Sequence, residues 1–225
     1  MTAPMSTSRD DSPSDTKQSL LDAAEALIAE HGVRGASLRA ITTRASANLA
    51  SANYHFGSKE ALVRAMVARR LRPLNEERLR RLSALEEGTE GSPPLEDLVR
   101  AFVEPVVRYG HHLPDRGRQF VQIFGRALTQ PDPTLRSMLI DELGEVILRF
   151  SGAFGRALPH LDQQDLMWRM HFMVGAMAHT VAGSKILEEV TQGLCHPGDI
   201  DGVVERLVSF LSGGLAAGAG EGTTS

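Results

Sequence analysis

The chain has 225 residues, of which 42% are hydrophobic and 23% charged, and a formal net charge of −4. This composition is that of a folded globular protein, and the length limits it to at most two compact units. A single cysteine excludes an intramolecular disulfide, and the longest apolar stretch, 172–178, is far shorter than the roughly 20 residues of a membrane span. Because no targeting segment is recognisable at the N-terminus, we expect a cytoplasmic protein with no membrane partner.

The first predicted element is an amphipathic helix that follows a flexible N-terminal tail. Residues 1–15 lack any apolar period, whereas from Thr16 to Gly32 the apolar side chains recur at spacings of three and four residues. Gly32 ends this pattern as a helix stop.

Two short helices joined by a tight turn are predicted next. Ser37 can cap the first of them, 38–45, and Asn48 can cap the second, which runs from Leu49 to about His55. Within the first helix the spacing predicts which side chains are buried and which lie outside. The buried ones are Leu38, Ile41 and Ala45, and the outer ones are Arg39, Thr42 and Arg44.

The rest of the chain is predicted to be helical, without strands. A long helix begins after Gly57 and Ser58, runs toward Leu82 and is expected to kink at Pro73. Beyond a linker, five more helices are expected, at 95–113, 116–129, 133–158, 162–190 and 199–212. The expected fold class is therefore all-α with about nine helices, and its parts are a head at 16–72, a body at 73–212 and a flexible tail at 213–225.

Charge is divided unevenly between these parts. Residues 16–82 contain 12 basic and 6 acidic side chains, whereas residues 83–225 contain 11 basic and 19 acidic ones. A basic segment inside an acidic chain indicates a module that faces a polyanion, although chance clustering on a solvated helix gives the same sums.

The two short helices and their tight turn form the pattern of a helix-turn-helix DNA-binding head. The outer face at the start of the second helix is small or polar, which allows close approach to the major groove. Groove contacts are expected from Leu49, Ala50, Ser51 and Asn53, next to the cap Asn48. Tyr54, His55 and Lys59 stand where they can reach phosphates.

Residues 16–72, and above all LRAITTRASANLASANYHFGSKEAL, resemble the DNA-binding head of the TetR family of bacterial regulators. The positions that match the family pattern are Ser37, Ile41, Ala45, Ala47, His55, Phe56 and Lys59. Three positions depart from it: Ser46 stands where glycine is usual, Ala50 where glycine is common, and Asn53 where tyrosine is usual. The resemblance implies that Arg39, Leu49, Ala50 and Ser51 face the groove and that either Asn53 or Tyr54 makes the family's phosphate contact. Phe56 is expected in the core.

The predicted helix at 162–190 is rich in side chains that suit an apolar ligand. Its segment 165–183 combines four methionines with a tryptophan, a phenylalanine and two histidines, and methionines adapt to irregular apolar ligands. Together with Phe120, Phe124 and Phe150, this concentration indicates a long apolar cavity, although plain core packing stays open for each residue.

Most of the chain also resembles one branch of the TetR family. NLASANYHFGSK in the head, and EVILRF and WRMHFMVGA in the body, are similar to the PsrA-type regulators of fatty-acid metabolism, which respond to long-chain fatty acids or their CoA thioesters. The resemblance implies an effector of that kind, a fatty acid or acyl-CoA. The implied wall residues are Trp168, Phe172, Met173 and Met177, and the implied head-group partners are Arg169, His171 or His179.

The resemblance further implies that the body is a ligand-binding and dimerisation domain, with the last two long helices forming a homodimer on a palindromic DNA operator. No convergent nucleophile and base and no metal-ligand spacing are recognisable, so we expect neither an enzyme nor a metal or other cofactor. The sequence favours a ligand-responsive repressor of fatty-acid metabolism genes. Two alternatives stay open: a TetR-type regulator of drug or antibiotic efflux that responds to another apolar molecule, and a helical ligand-binding protein without DNA function.

Overall fold

The computed structural model describes residues 13–112, 123 and 132–218. Within these residues the chain forms eight helices and no strand, which confirms the all-α prediction. The helices are α1 (Pro13–Gly35), α2 (Leu38–Arg44), α3 (Leu49–Phe56), α4 (Lys59–Glu87), α5 (Leu95–His112), α6 (Pro133–Ala157), α7 (Gln163–Val190) and α8 (Ile200–Ala216). The predicted helix at 116–129, with Phe120 and Phe124, lies outside the described residues, as do 1–12 and 219–225 of the predicted tails.

The chain divides into two compact units, and the division falls inside α4, between Ala68 and Arg69. In the first unit α1 packs against α2 and α3. α1 begins at Pro13, earlier than the predicted start at Thr16. Proline suits the first helical position because its φ is already helical and its missing N–H would have no partner there.

The buried face of α2 differs from the prediction at one position. Ile41 is fully buried, and Arg39 and Arg44 are exposed, but Thr42 is buried as well. The Thr42 hydroxyl donates to the carbonyl oxygen of Arg39 at 3.0 Å, so the helix backbone satisfies its polar group. A threonine can therefore lie on a face from which the sequence pattern excluded it.

In the second unit α5 packs against α6, α7 and α8, and α7 packs against both α6 and α8. The core contains the aromatic rings of Phe102 and Phe150, which meet edge to face with centroids 5.1 Å apart. Gly110 lets α5 approach α7 closely, because a Cβ at this position would collide with Val181.

α8 extends beyond its predicted end. Residues 213–216 were expected to belong to a flexible tail, but they are helical. Leu215 is buried and lengthens the apolar face of α8, and Arg169 of α7 donates to the carbonyl oxygens of Leu215 and Ala217 at 2.8 and 2.5 Å. These bonds satisfy carbonyls that a helix end otherwise leaves unpaired.

Candidate nucleic-acid interface and ligand cavity

Side-chain caps hold both helices of the helix-turn-helix in place. Ser37 Oγ accepts a hydrogen bond from the amide of Ala40 at 3.1 Å, and Asn48 Oδ1 accepts one from the amide of Ser51 at 2.7 Å. Between the two helices Ser46 adopts a φ of 53°, which makes the turn tight. The caps and the turn fix α3 relative to α2, as DNA recognition by this motif requires.

α3 presents its predicted contact residues to solvent. Leu49 is 51% exposed, whereas Ala52 on the opposite side of the helix is buried. Short side chains beside Leu49 leave the start of the helix open to close approach by a partner. Asn48, Leu49, Ala50 and Asn53 are exposed, and Ser51 is half-buried.

The aromatic end of α3 is only partly buried. Tyr54 is 81% exposed, and its ring meets that of His55 edge to face with centroids 5.2 Å apart. His55 and Phe56 are half-buried. Tyr54 is therefore not a packing residue, and Phe56, expected in the core, is only partly covered. An exposed phenol in this place can reach a phosphate.

α2 carries two exposed arginines in different charge environments. Arg44 pairs with Glu30 of α1 at 3.0 Å. Arg39 makes no ion pair within the described part of the chain. A guanidinium without an acidic neighbour can bind a phosphate or the O6 and N7 acceptors of guanine, so Arg39 is the better placed of the two for a DNA contact.

Lys59 has an intramolecular partner that the sequence does not reveal. Its Nζ donates to the carbonyl oxygen of Val33, near the end of α1, at 2.6 Å, and the residue is half-buried. An ammonium group has three N–H donors, so this bond leaves two for a phosphate. Lys59 thus contributes to the N-terminal unit in addition to any contact with DNA.

The second unit contains a cavity of about 280 Å³ between α4, α5, α6 and α7. Its wall is largely apolar and includes Leu74 of α4, Val106 of α5, Val146 of α6 and Met170 of α7. Ligand pockets usually have about 300–1,000 Å³, so this one is near the lower end of that range. A small molecule with an apolar body fits such a space.

Two of the predicted ligand-binding residues line this cavity. His171 and Met177 are on its wall, whereas Met173 is buried in the core without reaching the wall. Phe120 and Phe124 lie outside the described residues.

The prediction that Trp168 and Phe172 form the wall is wrong for this cavity. The two residues are 54% and 62% exposed, and their rings stack with centroids 5.8 Å apart. They lie four residues apart and so share one face of α7, whereas Met170 and Val174, which line the cavity, project from another.

The prediction of Arg169 as a head-group partner is also corrected, because its guanidinium is already occupied. It donates to the carbonyl oxygens at the end of α8, those of Gly214, Leu215, Ala217 and Gly218. His179 is exposed and does not line the cavity. Among the three predicted partners only His171 reaches it.

The cavity has two polar groups that sequence reasoning missed, Arg78 and Tyr109. Arg78 Nε donates to the carbonyl oxygen of Phe102 at 2.7 Å and one terminal nitrogen contacts Met177 Sδ at 3.4 Å, while the guanidinium carbon lies 4.1 Å from the Phe102 ring centroid. Burial lowers the pKa of Arg78 to about 10, which leaves it charged at neutral pH. The Tyr109 hydroxyl accepts a hydrogen bond from Arg70 at 2.9 Å.

The sequence does contain a signal for Arg78. The residue lies on the buried stripe of α4, in register with Leu71, Leu74 and Leu82 at spacings of three and four residues. A charge on an apolar stripe marks either a buried ion pair or a functional group, and only the packed structure shows which of the two is present.

Neither a metal site nor a membrane span is found in the parts of the chain that the structure describes. There, no three His, Cys, Asp or Glu side chains are grouped as metal ligands. Likewise, none of the described helices is long and apolar enough to cross a membrane.

Two segments of the chain match two parts of one protein family. Residues 20–66 match "Bacterial regulatory proteins, tetR family", and residues 100–214, just over half of the chain, match "Tetracyclin repressor-like, C-terminal domain". The chain therefore belongs to the TetR family of transcriptional regulators. It is a DNA-binding regulator with a ligand-binding domain and not an enzyme. Regulators of this family bind DNA operators and small-molecule effectors and are dimeric. No curated protein matches the chain.

Solved structures share the fold at low sequence identity. The fatty acid degradation regulator FadR from Bacillus halodurans is 18% identical, with a TM-score of 0.62 over 89% of this chain and 96% of that one. A TetR-like regulator from Rhodococcus sp. RHA1 is 23% identical, with a TM-score of 0.56 over 89% and 96%. The SmeT–triclosan complex is 21% identical, with a TM-score of 0.57 over 87% and 90%. At these identities the likeness shows the fold alone.

Proposed function

We propose that the protein is a homodimeric repressor of fatty-acid metabolism genes that leaves its palindromic operator when a fatty acid or acyl-CoA binds in the second unit. The observation that carries the DNA-binding part is the outward face of α3, an exposed run of small and polar side chains that begins at the cap Asn48. A repressor works where the chromosome is, so the proposal includes a cytoplasmic location.

The proposed contacts divide into base readout and phosphate binding. Base contacts specify sequence, whereas phosphate contacts set the orientation of the head on the duplex. The residues proposed for the groove are Arg39, Leu49, Ala50 and Ser51. Those proposed for the backbone are Asn48, Asn53 or Tyr54, His55 and Lys59.

The proposed dimer interface is the apolar patch that α7 and α8 leave exposed, defined by Trp168, Phe172, Ile186, Val190 and Phe210 and called the α7–α8 patch. Each of these side chains is more than half exposed in the single chain, and large exposed apolar surfaces mark interaction sites. A two-fold axis would bring the same patch of two copies together. The two recognition helices would then need a spacing of about 34–36 Å, or a multiple of it, to enter successive major grooves.

The apolar cavity and the resemblance to fatty-acid-responsive regulators support an acyl effector. A drug-like apolar molecule is the second candidate, because the SmeT–triclosan complex shares the fold as FadR does. Either molecule would release DNA only if it binds more tightly to a conformation whose recognition helices no longer match the operator.

The test is fluorescence anisotropy of the purified protein on DNA from upstream of its own gene, at several salt concentrations. We expect affinity to fall steeply with salt, because each neutralised phosphate adds about −0.9 to the slope of log K against log salt. Adding a fatty acid or its CoA thioester is expected to weaken binding. A flat salt dependence would favour a ligand-binding protein without DNA function. Tight DNA binding that ignores both ligands would point to the second effector candidate.

A matched pair of variants tests the interface. Arg39→Ala is expected to weaken operator binding about tenfold or more, since a good contact to guanine contributes about 1–3 kcal/mol. Arg44→Ala, on the same helix but paired with Glu30, is the control and is expected to leave the affinity nearly unchanged. Equal losses in both variants would contradict the assignment of Arg39.

A further inference from the structure

Arg78 is a buried cation with no anion beside it. It is 3% exposed, it lines the cavity, and it forms no ion pair within the described residues. The nearby acids on α4 and α5 are paired elsewhere: Glu77 with Arg80 and Arg81, and Glu104 with Arg81 and Arg108.

The contacts that Arg78 does make are all with neutral groups. They are a carbonyl oxygen and an aromatic ring, both of Phe102, and the thioether sulfur of Met177. A guanidinium has five N–H donors, and these contacts use Nε and one terminal nitrogen. A charge removed from water is costly unless an opposite charge and hydrogen bonds replace the water. The unused donors of Arg78 therefore favour an anion in the cavity.

We propose that Arg78 binds the carboxylate of the effector, so that the cavity selects an apolar chain that ends in a free acid. A carboxylate can accept two parallel hydrogen bonds from one guanidinium. Tyr109, on the same wall, supplies a further donor: its oxygen accepts from Arg70 at 2.9 Å, which leaves its own proton for a ligand.

This inference rests on the cavity being the effector site of the proposed function, and it narrows the effector class. The acyl end of a CoA thioester is uncharged and would leave Arg78 unpaired, whereas a free acid pairs with it. At about 30 Å³ for each group of the size of a water molecule, a cavity of about 280 Å³ holds about nine such groups. An acid of medium chain length, such as octanoate, matches this space.

The experiment is calorimetric titration of the full-length protein with octanoate, 1-octanol and octylamine. We expect the wild type to bind octanoate at least tenfold more tightly than 1-octanol, and octylamine most weakly. Arg78→Met is expected to lose this preference and still bind 1-octanol, and Arg78→Lys to keep part of it. Arg72→Met, on the same helix but outside the cavity, is the control and is expected to keep the wild-type ranking.

Three results would overturn the assignment: equal binding of 1-octanol and octanoate by the wild type, no binding of octanoate, or an unchanged preference in Arg78→Met. If thermal melting shows that Arg78→Met does not fold, the wild-type ranking and Arg78→Lys decide. DNA titrations in parallel separate this inference from the proposed function. Intact operator binding without octanoate selectivity refutes only the role of Arg78, whereas Arg78-dependent selectivity without operator binding supports that role and refutes the repressor.

Discussion

Ser46, in the turn between α2 and α3, has a φ of 53°, a conformation that glycine adopts easily and other L-residues adopt at a cost of about 1–2 kcal/mol. The family pattern that the sequence resembles has glycine here. The serine therefore retains the shape of the turn at some cost in stability.

Ser46→Gly is expected to raise the free energy of unfolding by up to about 1 kcal/mol, because the strain it relieves exceeds the about 0.4–1 kcal/mol that a more flexible unfolded chain costs. Urea unfolding at neutral pH measures the change. Ala47→Gly, at the next position and without a positive φ, is the control and should lower stability. Equal destabilisation by both changes would show that Ser46 is not strained.

Lys59 combines an internal hydrogen bond with a proposed phosphate contact, and the two roles have different readouts. Lys59→Met is expected to lower the free energy of unfolding by about 1–2 kcal/mol, because a bond from a charged donor to the Val33 carbonyl is lost. It is also expected to make the salt dependence of DNA binding shallower by about one phosphate per subunit. Lys185→Met, an exposed lysine on α7, controls for charge. Lower stability with an unchanged salt slope would leave Lys59 only its structural role.

On the scale of elements, α4 and α5 are linked through a half-buried carboxylate. Arg81 of α4 and Arg108 of α5 bind Glu104 at 2.8 and 2.6 Å. Burial by itself raises the pKa of Glu104, but the hydrogen bonds from Arg108 and Arg81 outweigh it and hold that pKa below its usual range. Hydrogen bonds from Arg80 and Arg81 lower the pKa of Glu77 to about 2.

Stability is therefore expected to fall as the pH drops from about 5 to about 2. A carboxylate with a lower pKa in the folded state stabilises the fold above its unfolded pKa, about 4.3 for glutamate, and this stabilisation is lost as the pH falls through the folded value. Glu104→Gln should lower stability at neutral pH by about 1–3 kcal/mol and flatten the acid dependence. Urea unfolding at several pH values is the measurement, with exposed Glu145→Gln as the control. A wild-type pH profile in Glu104→Gln would contradict the role of this link.

Helix bounds were predictable to different degrees, for a physical reason. α2 and α3 begin where predicted because Ser37 and Asn48 cap them through contacts three residues away, which the sequence encodes locally. The end of α8 was predicted too early because it depends on the burial of Leu215 and on bonds from Arg169, a residue distant in the chain.

On the scale of the whole molecule, the α7–α8 patch decides whether two heads can bind one operator. Phe210→Glu is expected to give a monomer and to lower operator affinity at least tenfold, because the two half-sites are then bound independently. Sedimentation and DNA titration measure the two effects. Leu148→Glu is a matched control, since Leu148 of α6 and Phe210 are each 72% exposed. Dissociation caused by Leu148→Glu and not by Phe210→Glu would move the interface to α6.

By itself the sequence determined that this protein is helical and begins with a helix-turn-helix head, because helix caps and apolar spacing are local properties of the chain. Only the tertiary structure decided which face of α7 meets which neighbour. α7 is apolar on more than one side, so its pattern could not tell that Met177 and His171 reach the cavity while Trp168 and Phe172 face solvent. The unpaired state of Arg78 was equally hidden, because a buried charge is defined by what packs around it and not by its place in the sequence.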